Sequence, residues 1–152
     1  MSGATLTVPA VLLAVVSAAA NPDSAALTRL GLAGDWAIDC KKPLGPDNPR
    51  VTFSAQGDQA PRYIESGPQG AVGSAAVGDV RALPGGQISL TMTVTQDFGG
   101  QPAKIVMNNV LIKDGNRFRF LEVKTGDGQA SVSGGITKAN GEATKWLQKC
   151  GG

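Results

Sequence analysis

The stretch QISLTMTVTQ, residues 87–96, decides the fold class of this 152-residue chain. Ile88, Leu90, Met92 and Val94 alternate with serine and threonine residues, so that apolar side chains lie on one face and polar side chains on the other. This alternation predicts an antiparallel strand with one face in a core and one face in solvent.

Other strand-like segments, separated by turn residues, lie on both sides of this stretch. They are WAIDC (36–40), RVTFS (50–54), RYIES (62–66), DVRAL (79–83), KIVMNNVLIK (104–113), RFRFLEVK (117–124), ASVSGGITK (130–138) and EATKWLQKC (142–150). The segment GPQGAVGSAAVG (67–78) fits a loop, a bulged strand or a short helix. The Asn140–Gly141 pair predicts a type I′ hairpin turn.

The number of short strands predicts an all-β fold. No long stretch shows the 3.6-residue apolar period of an amphipathic helix. A meander of this length hides its sheet edges by closing on itself. We therefore predict a single antiparallel up-and-down barrel of eight or nine strands, of the lipocalin or calycin type.

The beginning of the chain has the composition of a secretory leader. The apolar run at residues 8–16 is shorter than the roughly 20 residues that a membrane-spanning helix needs. Alanines at 18–20 offer a small-residue cleavage site. We predict a signal peptide at 1–20, with the alternative cleavage after Ala26, and a periplasmic or secreted mature protein without a membrane span.

About 130 residues remain after the leader, which is enough for one domain with one core. We predict a flexible N-terminal segment at 21–31 and the barrel domain at 32–152. The formal net charge of +2 is small, and the basic residues are scattered along the chain. Because nucleic-acid binding requires a basic stripe or stacking aromatic residues, we expect no nucleic-acid partner. We expect a monomer.

The chain has two cysteines, Cys40 and Cys150, and no histidine. An even cysteine count in an exported protein predicts a disulfide, whereas the cytosol would keep both thiols reduced. Zinc normally takes four nitrogen or sulfur ligands, so we expect neither a metal nor a cofactor. Closing a loop of about 110 residues contributes roughly 4 to 5 kcal/mol in the chain-entropy description.

The disulfide raises a topological difficulty. Both cysteines end their strands, and Cys40 is expected on the face that carries Trp36. In a meander with an even number of strands, the C-terminal ends of the first and last strands lie at opposite ends of the barrel. Either the strand count is odd or one strand bends.

Gly34, Asp35 and Trp36 resemble the G-x-W motif that opens lipocalin-type barrels. In that family the tryptophan plugs one end of the barrel, and a basic residue from a late strand packs over it. Lys145 or Lys149 would take that part here. With the first and last strands side by side, we expect Trp36 and Trp146 to be buried together as a barrel plug.

Both ends of the chain are similar to small, functionally uncharacterised exported proteins of Gram-negative bacteria. The residues that carry this resemblance are Trp36, Cys40, Pro43, Asn48, Pro49, Gly141, Thr144, Trp146 and Cys150. The resemblance implies an exported protein with a disulfide.

The sequence offers no arrangement of residues suited to catalysis. Histidine is absent, and the disulfide consumes both thiols. Neither S-x-x-K nor G-x-S-x-G occurs, although such motifs activate a serine nucleophile. A carboxylate pair is the remaining alternative, because a glycosidase needs only two acids at the right separation. Asp35 and Asp39 lie four residues apart on one strand face, which we interpret as a solvated outer face. We predict no catalytic residues and a protein that is not an enzyme.

An eight-stranded barrel can hold one small ligand, so we predict binding of a small apolar or amphipathic molecule in the barrel. Met92, Met107 and Phe120 would line the cavity, although plain core packing also explains each of them. Either Asn108 or Asn109 must point inward, and a buried amide needs hydrogen-bond partners. We predict Asn109 as a ligand contact, with a structural amide as the alternative.

The alternative function is a periplasmic interaction module, either a protease inhibitor or an envelope-associated structural protein. A G-x-W first strand and one disulfide resemble the bacterial metalloprotease inhibitors, whose N-terminal segment enters the active site of the target. Residues 21–31 would form that segment here. A filled core favours this function, and an open cavity favours ligand binding.

Overall fold

A computed structural model describes residues 19–97 and 99–151. Most of these residues lie in strands. The elements are helix α1 (Pro22–Arg29), β1 (Gly34–Ala37), β2 (Arg50–Ser54), β3 (Arg62–Gly67), β4 (Gly70–Leu83), a 3₁₀ turn (Pro84–Gly86), β5 (Gln87–Asp97), β6 (Pro102–Asp114), β7 (Arg117–Thr125), β8 (Ala130–Ser133), β9 (Ile136–Thr137) and β10 (Leu147–Cys150).

Eight strands, β1 to β7 and β10, form a closed antiparallel barrel, as the sequence predicted. Closure occurs because β10 pairs with β1 on one side and with β7 on the other. Strand β7 is shared: Phe118 pairs with Leu147 of β10, whereas Val123 pairs with Val132 of β8. The two extra strands, β8 and β9, therefore continue the sheet outside the barrel.

Residues 21–31 are not the flexible segment that we predicted. The side chain of Asn21 accepts hydrogen bonds from the first two N–H groups of α1, which is a strong helix start signal. Asp23 Oδ1 accepts a bond of 2.9 Å from the backbone N–H of Val80 in β4. Leu27 is fully buried. Capping and burial therefore fix this segment against the barrel.

Helix α1 covers the end of the barrel at which β1 begins, which we call the closed end. There the hydroxyl of Ser24 donates to the carbonyl of Gln59 in the β2–β3 connection, at 2.9 Å. The Nε1 of Trp36 donates to the carbonyl of Leu32 at 2.8 Å. We call the opposite end, where β1 ends and β10 begins, the open end.

Residues 1–18 lie outside the described residues, and most of the predicted signal peptide with them. Across 19–97 and 99–151, no helix has the length and apolar character needed to cross a membrane.

Candidate ligand site at the open end of the barrel

A pocket of about 310 Å³ lies at the open end. Its apolar lining includes Ile38, Phe120 and Leu147. The connection between β1 and β2 contributes residues 46, 47 and 49, and the segment before β10 contributes residues 142–145. The pocket is therefore bounded by barrel side chains and by the two connections that meet above them.

The alternation of side chains along the strands explains the apolar lining. Phe118 is fully buried in the barrel, and Phe120 lies two residues later on the same face of β7. Leu147 pairs with Phe118, so it shares that inward face. The Thr144 hydroxyl donates to the Phe120 carbonyl at 2.6 Å, which ties the segment before β10 to the pocket wall.

Aromatic rings fill the interior beneath the pocket. The ring of Phe118 contacts Phe53 at 5.9 Å and Phe120 at 5.8 Å between centroids, and Trp36 at 4.9 Å. Phe53 in turn contacts Tyr63 of β3 at 5.5 Å. All four contacts are edge-to-face, the arrangement that aromatic quadrupoles favour. A ligand at the open end would therefore rest on this packed aromatic layer.

The structure separates the four residues that we predicted as ligand contacts. Phe120 lines the pocket and is half-buried, and Met107 is half-buried on the inner wall of β6. Met92 and Asn109 are buried in the barrel, with 3% of each residue exposed. The Asn109 amide donates to the carbonyl of Met107 at 3.0 Å, so its position has a structural explanation.

Tyr63 and Glu65 also face the interior, which the sequence analysis did not find. Tyr63 pairs with Phe53, and Glu65 pairs with Val51; both partners are buried in the core. The Tyr63 hydroxyl donates to the Glu65 carboxylate at 3.5 Å. Burial, and then the charge of Glu65, raise the pKa of the Tyr63 phenol well above its usual value, so the phenol stays neutral and remains a donor.

Only one of the two predicted plug residues is inside the barrel. Trp36 is fully buried, and Lys149 Nζ lies 5.5 Å from its ring centroid. The prediction for Trp146 was wrong. Because the adjacent Leu147 points inward, Trp146 points outward, where the guanidinium carbons of Arg117 and Arg119 lie 4.6 and 5.2 Å from its ring centroid. Such stacking is a cation–π arrangement on the outer surface.

The predicted disulfide between Cys40 and Cys150 is present, with Cα atoms 5.5 Å apart. Strand β1 ends at Ala37, so Cys40 is not on the strand as we expected. The chain bends there, and the Gln148 amide of β10 donates to the Ile38 carbonyl at 3.0 Å. Because of this bend, Cys40 reaches Cys150 even though the barrel has an even number of strands.

A second concavity, of about 460 Å³, lies on the outer face of β4 to β7. Asp79, Arg81, Glu122 and Lys124 line it, so both signs of charge are present. The Glu122 carboxylate accepts a 2.7 Å bond from the backbone N–H of Gly134. This N–H is the main cause that lowers the pKa of Glu122, and the nearby Lys124 lowers it further.

In the part of the chain that the structure describes, no three histidine, cysteine, aspartate or glutamate side chains cluster as potential metal ligands. Comparisons with protein-family models, with curated proteins and with solved structures found no match for this chain. Function is therefore inferred from the residues of the barrel themselves.

Proposed function

We propose that this chain is an exported, non-catalytic β-barrel protein that binds a small apolar or amphipathic ligand at its open end. The observation that carries the proposal is the pocket of about 310 Å³ lined by Ile38, Phe120 and Leu147. Ligand sites typically have volumes of roughly 300 to 1,000 Å³ and mostly apolar linings. The pocket therefore suits a small molecule or the end of a larger one.

The difference in packing along the barrel supports binding at the rim rather than deep inside. Trp36, Phe53 and Phe118 are fully buried and occupy the interior. Phe120 is only half-buried, so part of its apolar surface is available to a ligand. Removing such surface from water contributes about 25 cal/mol per Å².

Export is supported by the disulfide and by the apolar N-terminal sequence. A structural disulfide persists in oxidising compartments such as the periplasm. Helix α1 favours one of the two leader cleavage sites. Cleavage after Ala20 leaves the capping residue Asn21 in the mature chain, whereas cleavage after Ala26 removes most of the helix. We therefore propose Asn21 as the first residue of the mature chain.

A protein-interaction module is the second candidate function. The filled interior, which we expected of such a module, and the outer surface both favour it. A partner protein could dock on two features of this surface. They are the concavity of about 460 Å³ on the outer face of β4 to β7 and the half-buried Trp146 between two arginines. An inhibitor that acts through a free N-terminal arm needs residues 21–31 to be available, but Leu27 in that segment is fully buried.

The proposed ligand site can be tested by filling the pocket. Ala143 is exposed and lines the pocket, whereas Ala139 lies in the preceding turn and does not. We expect the neutral apolar probe N-phenyl-1-naphthylamine to bind the wild-type protein with increased fluorescence. Ala143→Trp should weaken this binding at least tenfold, and the matched control Ala139→Trp should leave it unchanged.

Two results would count against the proposal. If the wild-type protein does not bind the probe, the interaction module becomes the better explanation. If Ala143→Trp binds the probe as tightly as Ala139→Trp does, the probe binds elsewhere and the pocket is not the ligand site. Circular dichroism of both variants shows whether the barrel is intact.

A further inference from the structure

One wall of the open-end pocket belongs to the strands outside the barrel. Thr137 of β9 and residues 142–145 line the pocket on this side. The backbone N–H of Thr137 donates to the Glu142 carbonyl at 2.8 Å, which joins β9 to the segment before β10. We call residues 133–145 the outer wall. Its position decides the shape of the pocket on this side.

Hydrogen bonds connect the turn between β8 and β9 with the pocket lining. In this turn the backbone N–H of Gly135 donates to the Leu121 carbonyl of β7 at 2.8 Å. The Gly135 carbonyl accepts a bond of 2.8 Å from the backbone N–H of Thr144, which lines the pocket. The Thr144 hydroxyl donates to the Phe120 carbonyl at 2.6 Å. The outer wall is therefore positioned by the attachment of this turn to β7.

Glu122 of β7 holds the same turn from outside the pocket. Its Oε1 accepts the backbone N–H of Gly134 at 2.7 Å and the hydroxyl of Ser133 at 3.4 Å. Gly134 is adjacent to Gly135, whose carbonyl bonds to Thr144. Strand pairing adds little here, because β7 and β8 share only two paired positions. The Glu122 carboxylate is therefore a main attachment of the outer wall.

The charged groups around Glu122 favour its ionised form. Lys124 of the same strand lies 3.2 Å from its Oε2. Asp79 and Arg81 of β4 line the same concavity and pair with each other at 3.8 Å, and the β6 residues there are uncharged. Arg119 packs beside the turn and, among the described residues, has no carboxylate within 4 Å. Three basic groups against one other carboxylate favour deprotonation of Glu122.

The opposite wall of the pocket is held by groups that do not titrate in acid. There the Asn48 amide donates to the carbonyls of Asp39 and Pro43, at 3.0 and 3.2 Å, and accepts from the backbone N–H of Asp39 at 2.9 Å. The disulfide attaches Cys40 to β10. Acid should therefore loosen the outer wall and leave this connection in place.

We propose that Glu122 is a positioning residue for the open-end pocket: its carboxylate holds the outer wall in the ligand-binding position, and protonation of that carboxylate weakens ligand binding. This inference rests on the proposed function and adds regulation of the same site by acid. A neutral carboxylic acid is a weaker acceptor than a carboxylate, so the turn is held less firmly after protonation. Apparent affinity then falls with the fraction of molecules whose wall is in place.

The direction of the pH effect follows from the state of Glu122. Its pKa is lower in the folded protein than in the unfolded chain. The contribution of the carboxylate is therefore complete at neutral pH and is lost as the pH falls through the folded pKa. Ligand affinity should fall in the same direction.

The test uses N-phenyl-1-naphthylamine, which stays neutral between pH 7 and pH 3.5. Fluorescence titration of the wild-type protein should give a Kd about threefold higher at pH 3.5 than at pH 7. Glu122→Gln keeps the side-chain size and an acceptor oxygen but does not titrate, so most of this difference should disappear. Circular dichroism at both pH values shows whether the barrel is intact.

Asp127→Asn is the matched control. The pKa of Asp127 is also lowered, chiefly by a bond from the Thr125 hydroxyl, and the backbone N–H of Gln129 donates to it at 3.2 Å. These bonds lie within the turn between β7 and β8, and Asp127 is not part of the pocket lining. This variant should keep the full threefold difference.

A measurement on the wild-type protein needs no variant. If protonation of Glu122 weakens binding, the bound probe must in turn favour the ionised form, because linkage is reciprocal. Saturating probe should lower the pKa of Glu122 by about 0.5, which corresponds to the threefold change in affinity. The ¹³C shift of the side-chain carboxyl, followed by NMR with and without probe, measures this pKa. The pKa of Asp127 should not change.

The outcomes separate the two proposals. Absence of probe binding at both pH values would contradict the proposed function, and the role of Glu122 would fail with it. Equal affinity at the two pH values, or a Glu122 pKa that the probe does not change, would overturn the role of Glu122 and leave the pocket as the ligand site. If Glu122→Gln keeps the full acid dependence, Asp47 or Glu142 in the pocket lining causes it, and the inference is wrong.

Discussion

The closed and open ends of the barrel are built from the same strands but differ in how completely their side chains are covered. At the closed end, α1 covers the interior, and Leu27, Leu32 and Trp36 are fully buried. At the open end, Ile38 and Phe120 are only half-buried and line a pocket. The comparison shows that the closed end is covered by the chain and stabilises the barrel, whereas apolar side chains at the open end stay partly accessible.

The difference follows from what the chain does before and after β1. Before β1 it forms a capped helix whose Asp23 carboxylate bonds to β4. After β1 it leaves the sheet at Ala37, and the connection that follows lines the pocket instead of covering it. Burial at one end and access at the other therefore depend on these two short segments.

The largest expected effect is that of Trp36→Ala at the closed end. Truncation of this fully buried side chain removes its contacts with Phe118 and Lys149 and leaves the Leu32 carbonyl without its donor. We expect a loss of about 3 to 5 kcal/mol in the free energy of unfolding, measured by urea denaturation.

Phe120→Ala is the matched truncation at the open end. Because Phe120 is half-buried, this variant should lose less free energy of unfolding, roughly 1 to 2 kcal/mol. Equal losses for the two variants would contradict the difference in packing between the two ends. Trp146→Ala, on the outer surface, should cost less than Trp36→Ala for the same reason.

The effect of the disulfide should lie between those of Trp36→Ala and Phe120→Ala. Replacing both Cys40 and Cys150 by serine releases a bond that spans 110 residues, and we expect a loss of about 2 to 5 kcal/mol. A cross-link acts mainly by restricting the unfolded chain. In the double variant, amides at the closed end should therefore still be better protected from exchange than amides at the open end. Denaturation of the oxidised and the dithiothreitol-reduced wild type gives the control.

Mass spectrometry of the denatured, non-reduced wild type checks the premise of this prediction. It should show a monomer without alkylatable thiols. Two free thiols, or a dimer that dissociates on reduction, would contradict the intramolecular bond. If only the open end loses protection in the double variant, the disulfide stabilises that end locally rather than the whole barrel.

The sequence predicted the barrel strands correctly where one face of a strand is clearly apolar. Ile88, Leu90 and Met92 are buried as their alternation indicated. The segment 67–78 was ambiguous because glycine and alanine carry little face preference. Most of it belongs to β4, which forms a strand because β3 and β5 pair with it on both sides. Those contacts are distant in sequence, so local pattern does not show them.

Turn chemistry was predicted less well. At Asn140–Gly141 only the glycine has a positive φ, of 71°, so the turn is not type I′. The Asn140 side chain instead accepts a bond of 3.1 Å from the backbone N–H of Glu142. Asparagine forms such local turns readily. The capping signal at Asn21 was present in the sequence and could have predicted α1.

The candidate site was predicted only in part, since Phe120 lines the pocket but Met92 and Asn109 lie deeper in the barrel. Glu65 was missed because RYIES contains Ile64, which hydrophobicity alone would turn inward. Pairing of Tyr63 with the buried Phe53 fixes the opposite register. The register of a strand depends on its neighbour, and a single sequence does not give that pairing.

The smallest expected effect concerns the two strands outside the barrel. Glu122 of β7 accepts the Gly134 N–H at 2.7 Å and holds the β8–β9 turn. This bond lowers the pKa of Glu122 below its value in the unfolded chain. A carboxylate of this kind contributes its stability above the unfolded pKa, and the contribution is lost as the pH falls through the folded pKa. Acid should therefore loosen β8 and β9 first.

Amide exchange followed by NMR at pH 7 and near pH 3 measures this loosening, with rates corrected for the intrinsic pH dependence of exchange. Protection of β8 and β9 should fall with acid more than protection of β1 and β2. Glu122→Gln should lose less than about 1 kcal/mol at pH 7, because the site is partly exposed, and should remove most of the acid dependence. Glu142→Gln, the matched control in the segment before β10, should keep the acid dependence of protection. Uniform loss of protection along the chain would mean that Glu122 does not hold these strands separately from the barrel.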